Sequence, residues 1–196
     1  MKKLTLDDVK NMHEYELIRD DWKRSAIEEK ARRRVTLGPK MSLVFENRIT
    51  VLHQVQEMCR SERIARPEKV QEELDVYNTL LPDAGELAAT LFIEITDEAA
   101  IQRELDGLVG LASGRYLYLE LNERRVHARF GAAESREDRL AAVQYVRFPI
   151  GRDPADRAAL EGGSAPVFLR VEHPAYQASV ELSIETRREL AKDLSD

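Results

Sequence analysis

Six polar residues between positions 48 and 86 form the densest cluster of chemically capable side chains in the sequence. They comprise one guanidinium, two amides and three carboxylates, and we call them the polar cluster: Arg48, Gln54, Glu57, Asp75, Asn78 and Glu86. Acids beside an arginine are able to transfer protons or to hold a small ligand. The alternative is a surface network in which these side chains only pair with one another and with water.

The polar cluster falls on two predicted helices and on the strand that follows them. Apolar residues at three- and four-residue spacing predict the first helix from about Arg48 to Arg63. Pro67 suits the first turn of the second helix, and Pro82 ends it. Glu86 opens the strand. If the two helices pack antiparallel across their short loop, Arg48, Asp75 and Asn78 could approach one another. A functional site would then require the polar cluster to converge in one concave pocket, whereas the interpretation that we favour is a surface network.

Helices dominate the first part of the chain and strands dominate the second. A long helix is predicted from about Glu14 to Arg33, with its buried stripe at Tyr15, Ile18, Trp22 and Ala26. A hairpin over 35–45 follows it. After residue 86, alternating apolar residues predict strands at 86–95, 116–121, 125–130, 142–150, 167–171 and 180–184, with helices at 97–108, 154–160 and 185–194.

This order predicts an α+β fold and not a βαβ repeat. We expect one domain over residues 1–196, in which a helix-rich part (1–82) packs on a mainly antiparallel sheet (83–196). The net charge of −6 divides unevenly, with +4 over residues 1–66 and −10 over residues 67–196. The two parts are therefore expected to attract each other, and the overall acidity argues against nucleic-acid binding.

The composition predicts a cytoplasmic protein that folds without a disulfide. Cys59 is the single cysteine, which fits a reducing compartment. The first residues carry two lysines but no apolar run, so they do not resemble a signal peptide. Apolar runs are far shorter than the roughly 20 residues that span a bilayer. We therefore expect no membrane association.

Recognisable cofactor motifs are missing from the sequence. The four histidines form no metal-binding pattern, and His53 with Glu57, one helical turn apart, offers only two ligands. Cys59 falls on the apolar face of its helix, where a thiol is unreactive. Neither Gly-x-Gly-x-x-Gly nor a Walker sequence occurs. We predict that the protein carries no metal and no cofactor of its own.

A second surface combines basic and aromatic side chains on two neighbouring strands. Arg125, His127 and Arg129 share the outer face of one strand, and Tyr116 and Tyr118 share that of its partner. Such a face is typical of a platform on which RNA bases stack. The alternative, which we favour, is a half-solvated or covered sheet face.

Several segments resemble those of a known family, and the resemblance spans essentially the whole chain. They are Phe45-Glu46-Asn47-Arg48, Gln54-x-Gln56-Glu57-Met58, Glu73-Leu74-Asp75-x-Tyr77-Asn78-x-Leu80-x-Pro82 and Gly85-Glu86-Leu87. Together they resemble a bacterial family catalogued only as a domain of unknown function. Genes of that family often lie beside those for rubrerythrin-like and iron–sulfur oxidoreductase proteins, which implies a link to redox or peroxide metabolism. The resemblance implies no catalytic residues.

Two functional hypotheses follow. The leading one is an accessory or interaction protein, with a protein partner or a second copy of itself and without its own cofactor. The alternative is a cofactor-free enzyme or small-ligand binder that uses the polar cluster. Whether the protein is an enzyme stays open at this point.

Overall fold

The structure is a computed structural model that describes residues 1–131, 135–136, 139–151, 154–162 and 165–194. Its α-helices are α1 (Met12–Arg33), α2 (Arg48–Ser61), α3 (Pro67–Tyr77), α4 (Ile101–Gly107), α5 (Pro154–Glu161) and α6 (Ile184–Asp193). Its strands are β1 (Arg34–Thr36), β2 (Met41–Glu46), β3 (Leu87–Ile93), β4 (Leu117–Leu121), β5 (Arg124–His127), β6 (Arg129–Phe130), β7 (Ser135–Arg136), β8 (Arg139–Leu140), β9 (Val143–Phe148), β10 (Val167–His173) and β11 (Tyr176–Glu181). The predicted α+β class is confirmed.

The strands form two larger antiparallel sheets that are linked by one bent strand. The first has the order β1-β2-β3-β9-β6 and the second the order β11-β10-β4-β5, while β7 and β8 pair separately. Only Ala128 separates β5 from β6. Its N–H donates to Leu117 of β4 at 2.9 Å, whereas the N–H of Gly131 donates to Tyr145 of β9 at 3.0 Å. The strand therefore joins β4 to β9.

One apolar core lies between the inner faces of these two sheets. Alternate residues along each strand point inward, as the two-residue period of a strand requires. The inward side chains include Phe45, Leu91, Leu119, Phe148 and Leu169, and Leu105, Leu160 and Leu190 join them from α4, α5 and α6. These helices thus complete the core that the sheets begin.

A second apolar cluster fastens the N-terminal helices to the outer face of the five-stranded sheet. It contains Leu4, Val51, Val55, Cys59, Leu74, Leu80 and Leu81, with Tyr145 of β9 packed against it. Every residue of β2 is buried, because the core covers one face and helices cover the other. This second cluster packs the helix-rich part against the sheet, as predicted.

The residues of α1 that are buried differ from those that the spacing of its apolar residues predicts. Tyr15 and Ala26 are buried, but Ile18 is 42% exposed. Farther along the same stripe lie two charged residues, Glu29 and Arg33, which are buried. Apolar periodicity could not show this, because these side chains find charged partners in other elements of the fold.

Two turns test the local sequence signals. Asn122 and Glu123 have φ of 48° and 64°, the left-handed pair of a type I′ hairpin turn, so the predicted turn is confirmed. The strand predicted to reach Ile184 is wrong at its end. Ser183 caps α6 there, with its hydroxyl accepting from the N–H of Thr186 at 3.0 Å, and β11 has already ended.

Gly38 allows the β1–β2 turn to lie against β11. Its φ is +71°, and a Cβ there would lie 2.5 Å from the hydroxyl of Tyr176. That hydroxyl donates to the carbonyl of Leu37 at 2.7 Å and accepts from the N–H of Lys40 at 3.1 Å. The contact joins the two sheets on the side away from the bent strand.

We expect Gly38→Ala to lower the free energy of unfolding by about 2 kcal/mol, since alanine is strained at positive φ and its methyl group displaces Tyr176. Urea denaturation measures this change. Gly107→Ala is the matched control, because a Cβ on Gly107 in α4 meets nothing within 4 Å. Equal stability of the two variants would contradict the role given to Gly38.

Candidate functional site

The polar cluster divides among separate partners. Arg48 forms an ion pair with Asp8 of the N-terminal segment at 2.6 Å. Asp75, on the exposed side of α3, accepts a hydrogen bond from Gln71 at 2.8 Å. These two members, which were expected to approach each other, are thus engaged by different neighbours.

Asn78 and Glu86 tie chain segments together. The side-chain amide of Asn78 accepts from the N–H of Leu4 at 2.8 Å and donates to the carbonyl of Leu4 at 3.0 Å. Glu86 accepts a hydrogen bond from Arg147 of β9 at 3.0 Å and lies 3.7 Å from Arg129. The first pair holds the N-terminal segment against the end of α3, and the second holds the start of β3 against its neighbours.

Gln54 belongs to a buried network around Glu46. The carboxylate of Glu46 accepts from the hydroxyls of Thr90 and Thr50 at 2.6 and 2.5 Å, and from the amide of Gln54 at 3.2 Å. A buried carboxylate is costly unless it is hydrogen-bonded, and this one receives three donors. The network therefore holds β2, β3 and α2 together.

Asn47 connects the same junction to α1. Its side-chain oxygen accepts from the N–H groups of Ile49 and Thr50, both at 3.0 Å, and so caps α2. Its amide donates to the buried carboxylate of Glu29 at 2.7 Å. The segment Phe45-Glu46-Asn47-Arg48, which carries part of the family resemblance, is accordingly a structural junction in this fold.

Arg33 closes the junction against the last helix. Its guanidinium donates to Glu29 at 2.6 Å and to both oxygens of Asp193 in α6, at 2.6 and 3.1 Å. All three side chains are buried. Although burial alone acts in the opposite direction, hydrogen bonds from Arg33 and Arg32 hold the pKa of Glu29 below its usual range.

Glu57 lies in an ion-paired group between α1 and α2. Arg19 grips both of its carboxylate oxygens, at 2.9 and 3.0 Å, and the hydroxyl of Tyr15 donates to one of them at 2.6 Å. The hydrogen bonds from Arg19 lower the pKa of Glu57 to about 2. The pKa of Tyr15 is raised above its usual range, mainly by burial and to a smaller extent by the hydrogen bond to the carboxylate of Glu57. Glu57 is therefore ionised near neutral pH. Its contacts with Tyr15 and Arg19 hold α1 against α2, and we call them the Glu57 clamp.

A cavity of about 270 Å³ lies between the N-terminal segment, α2 and the start of α3, and we call it the N-terminal cavity. Its lining consists of Leu6, Val9, Lys10, Asn11, Met12, Gln56, Cys59, Arg60, Ile64, Ala65, Pro67 and Val70. Most of these side chains are apolar, and Leu6 and Met12 are 40% and 37% exposed. The cavity therefore presents apolar surface to solvent, and its lining includes no member of the polar cluster.

Hydrogen bonds fix the wall that the N-terminal segment contributes. The amide of Gln56 accepts from the N–H of Lys10 and donates to its carbonyl, both at 2.9 Å. Asn78 holds Leu4 in the same two-way manner. Because the segment is held on both sides of Leu6 and Val9, the cavity is already formed without a ligand.

Cys59 and Arg60 contribute a thiol and a guanidinium to the lining of the cavity. Burial, with a contribution from Glu73, raises the pKa of the Cys59 thiol, so the thiol is protonated near neutral pH. This agrees with the expectation that Cys59 is not a nucleophile. Arg60 lies 3.5 Å from Glu57 and 3.7 Å from Glu16, at ion-pair distance from both carboxylates.

The basic and aromatic face on β4 and β5 is arranged differently from a stacking platform. Tyr118 is 0% exposed. The guanidinium of Arg125 lies over its ring at 4.6 Å, and the ring of His127 lies 5.3 Å from it. The ring of Tyr116 packs edge-on against His173. The basic side chains thus cover Tyr118 while Arg125 is itself 51% exposed, so the face is half-solvated.

Two negative findings concern only the residues that the structure describes. Among them, no three or more His, Cys, Asp or Glu side chains group where they could hold a metal ion. The helices in the same ranges include none with the length and apolar character needed to cross a bilayer.

Fold and site define an α+β domain with two linked antiparallel sheets, a helical layer on one of them and an apolar cavity beneath the N-terminal segment. The chain belongs to the family described as "Protein of unknown function (DUF3501)", which matches residues 3–194. A crystal structure of a protein of unknown function from Burkholderia pseudomallei is similar, with a TM-score of 0.89 and 31% identity over 98% of this chain and 100% of that one. Curated proteins yield no significant match.

Sequence reasoning did not find the N-terminal cavity. Its lining comes from three separate stretches of chain, and Cys59, the one residue among them that was considered for chemistry, was interpreted as a buried thiol. The apolar residues Leu6 and Val9 precede α1 in a segment with no clear period. The signal that could have drawn attention to them is that they are apolar residues outside any predicted helix or strand.

Proposed function

We propose that this domain binds a small, largely apolar molecule in the N-terminal cavity, and that it acts as an accessory protein that holds or senses this molecule. The observation that carries the proposal is the cavity of about 270 Å³ with its mainly apolar lining. Binding sites for small molecules are typically concave, mostly apolar and largely formed in advance. The N-terminal cavity has these three properties.

The exposed apolar side chains at the cavity support ligand binding. Leu6 and Met12 remain in contact with water, although each would gain stability from burial, at roughly 25 cal/mol for each Å² removed from water. A ligand with an apolar chain would cover them together with Val9, Ile64 and Val70. Since hydrogen bonds already hold the wall, binding has little ordering cost to overcome.

A cofactor-free enzyme built on the polar cluster is less well supported. Its six side chains serve as separate links within the fold, and each has a different set of partners. The link to redox or peroxide metabolism rests on the family resemblance alone. A small-molecule carrier or sensor is compatible with that link, as is the predicted association with a protein partner or with a second copy of the chain.

Titration calorimetry and thermal denaturation test the proposal without a label. We expect octanoate or octan-1-ol to bind the native chain and to raise its melting temperature. Val70→Trp, which fills the cavity, should abolish both effects. Val76→Trp is the matched control, because Val76 lies on the same helix at 64% exposure and outside the cavity.

The proposal is supported if at least one of the two compounds binds the native chain and Val76→Trp but not Val70→Trp. Circular dichroism of both variants checks that they are folded. If neither compound binds or changes the melting temperature, or if Val70→Trp responds like the native chain, the cavity is not a site for such molecules.

A further inference from the structure

We infer that the ligand of the N-terminal cavity is an aliphatic monocarboxylate and that Arg60 receives its carboxylate. This inference rests on the proposed function and adds the chemical class of the ligand and the residue that selects it. It follows from the charge of the lining, from the partners of Arg60 and from the apolar remainder of the cavity.

The lining of the cavity is positively charged, although the whole chain has a net charge of −6. Arg60 and Lys10 are among the lining residues, and these residues include no aspartate or glutamate. The Cys59 thiol adds no negative charge near neutral pH, because burial raises its pKa. Glu57 and Glu16 lie beside Arg60 outside the lining and offset part of its charge, so the attraction for an anionic group is local, at the two cations of the lining.

Arg60 has donor groups left for a ligand. Its Nε lies 3.5 Å from Glu57, and one terminal nitrogen lies 3.7 Å from Glu16. Within the described residues its Nε is shielded from solvent and makes no hydrogen bond. The oxygen of Glu57 nearest to it already accepts from Arg19 and Tyr15. The contacts with Glu57 and Glu16 orient Arg60, and its side chain is still 33% exposed, so its terminal nitrogens are the groups left for a ligand.

The two side-chain amides at the cavity already have partners. The amide of Gln56 is bound on both sides by the backbone of Lys10. The side-chain oxygen of Asn11 accepts from the N–H of Glu14 and caps α1. Lys10 and Arg60 are the cations of the lining, and the planar guanidinium of Arg60 matches the two oxygens of a carboxylate, whereas the ammonium of Lys10 does not.

The remainder of the cavity selects an aliphatic chain. Val9, Ile64 and Val70 offer no hydrogen-bonding side chains, so a second polar group on the ligand would be buried without a partner, which is unfavourable. A ligand with one carboxylate and one unbranched hydrocarbon tail would complement the lining. Its carboxylate would bind Arg60, and its tail would contact the apolar side chains. Octanoate and octan-1-ol differ only in the head group and are therefore a matched pair of probes.

The test compares the two probes on the native chain and on Arg60→Gln by titration calorimetry at low ionic strength, with the melting temperature as a second readout. Losing a charge-assisted hydrogen bond should weaken octanoate binding about ten- to a hundredfold and leave octan-1-ol binding unchanged. Arg60→Lys should retain part of the octanoate affinity. Arg63→Gln, which changes an exposed arginine just beyond the end of α2, should bind both probes like the native chain.

The outcomes separate this inference from the proposed function. If octan-1-ol and octanoate bind equally well and Arg60→Gln affects neither, or weakens both alike, the cavity binds small molecules but the role of Arg60 is overturned. If neither probe binds the native chain, the proposed function itself fails. Selective loss of octanoate binding in Arg60→Gln, with Arg63→Gln unaffected, supports the inference.

Discussion

Replacing Arg33 with methionine is expected to lower the free energy of unfolding by about 3–5 kcal/mol, because it removes the buried guanidinium to which Glu29 and Asp193 are both paired. Arg33 is 2% exposed and pairs with Glu29 and with Asp193. Glu189 lies 3.7 Å from the same guanidinium. Methionine fills a similar volume, so the loss reports the charge and not a cavity. Urea denaturation monitored by circular dichroism measures it.

Arg32→Met is the control for this prediction. Arg32 also pairs with Glu29, but its side chain is 37% exposed, so its removal should cost less than about 1 kcal/mol. A double-mutant cycle with Asp193→Asn should show a coupling of about 1–3 kcal/mol between Arg33 and Asp193. Amide hydrogen exchange in α6 should rise in Arg33→Met. Native-like stability of that variant would show that the buried ion pairs do not hold α6 in place.

Glu57→Gln is expected to destabilise the protein by up to about 3 kcal/mol at pH 7, and the difference from the native chain should shrink in acid. The pKa of Glu57 is about 2 in the folded protein, against an ordinary value of 4.5. A lowered pKa means that the stabilisation is complete above pH 4.5 and is lost as the pH falls towards 2. Urea denaturation at several pH values between 7 and 2.5 measures this dependence.

Asp75→Asn is the matched control for Glu57→Gln. Both residues belong to the polar cluster, but Asp75 is exposed and has only a hydrogen bond from Gln71 in its own helix. Its replacement should change stability by less than about 0.5 kcal/mol at every pH. A constant difference between the native chain and Glu57→Gln across the pH range would argue that the ion pair with Arg19 does not form in solution.

The two predictions concern opposite ends of α1 and explain why this helix stays in place with a modest apolar stripe. Near its start, Tyr15 and Arg19 hold Glu57 of α2. At its end, Arg33 holds α6. Both contacts also constrain the surroundings of the N-terminal cavity, because α2 contributes Cys59 and Arg60 to its lining. Loss of the Glu57 clamp is therefore expected to weaken ligand binding as well.

Local sequence signals account for the elements of the fold. Prolines at 67 and 82 mark the region of α3, and alternating leucines mark β4. The Asn122-Glu123 turn follows from the preference for left-handed conformations in tight hairpins. Such signals act between residues that are close in the chain, so the order of helices and strands, and with it the α+β class, could be predicted without knowing how they pack.

Partners far apart in the sequence decided the rest. Glu29 and Arg33 are buried at the end of α1, where Asp193 pairs with Arg33 and Asn47 donates to Glu29. Likewise, each member of the polar cluster has its own neighbours, and the sequence could not show which neighbours these would be. Periodicity reports which side chains avoid water, and it carries no information on which distant charge will satisfy a polar one.

The candidate functional residues of this protein fall into two groups. The surroundings of some depend on residues nearby in the chain, and those of the others depend on residues far away in the chain. Residue patterns alone predict an α+β order, a buried and unreactive Cys59, and a charge difference between the two parts of the chain. The ion pair of Glu57 with Arg19 and the position of Arg60 in the lining of an apolar cavity depend on contacts between distant segments. The cavity exists because three stretches of chain meet without filling the space between them, and such a gap leaves no trace in the local pattern of residues.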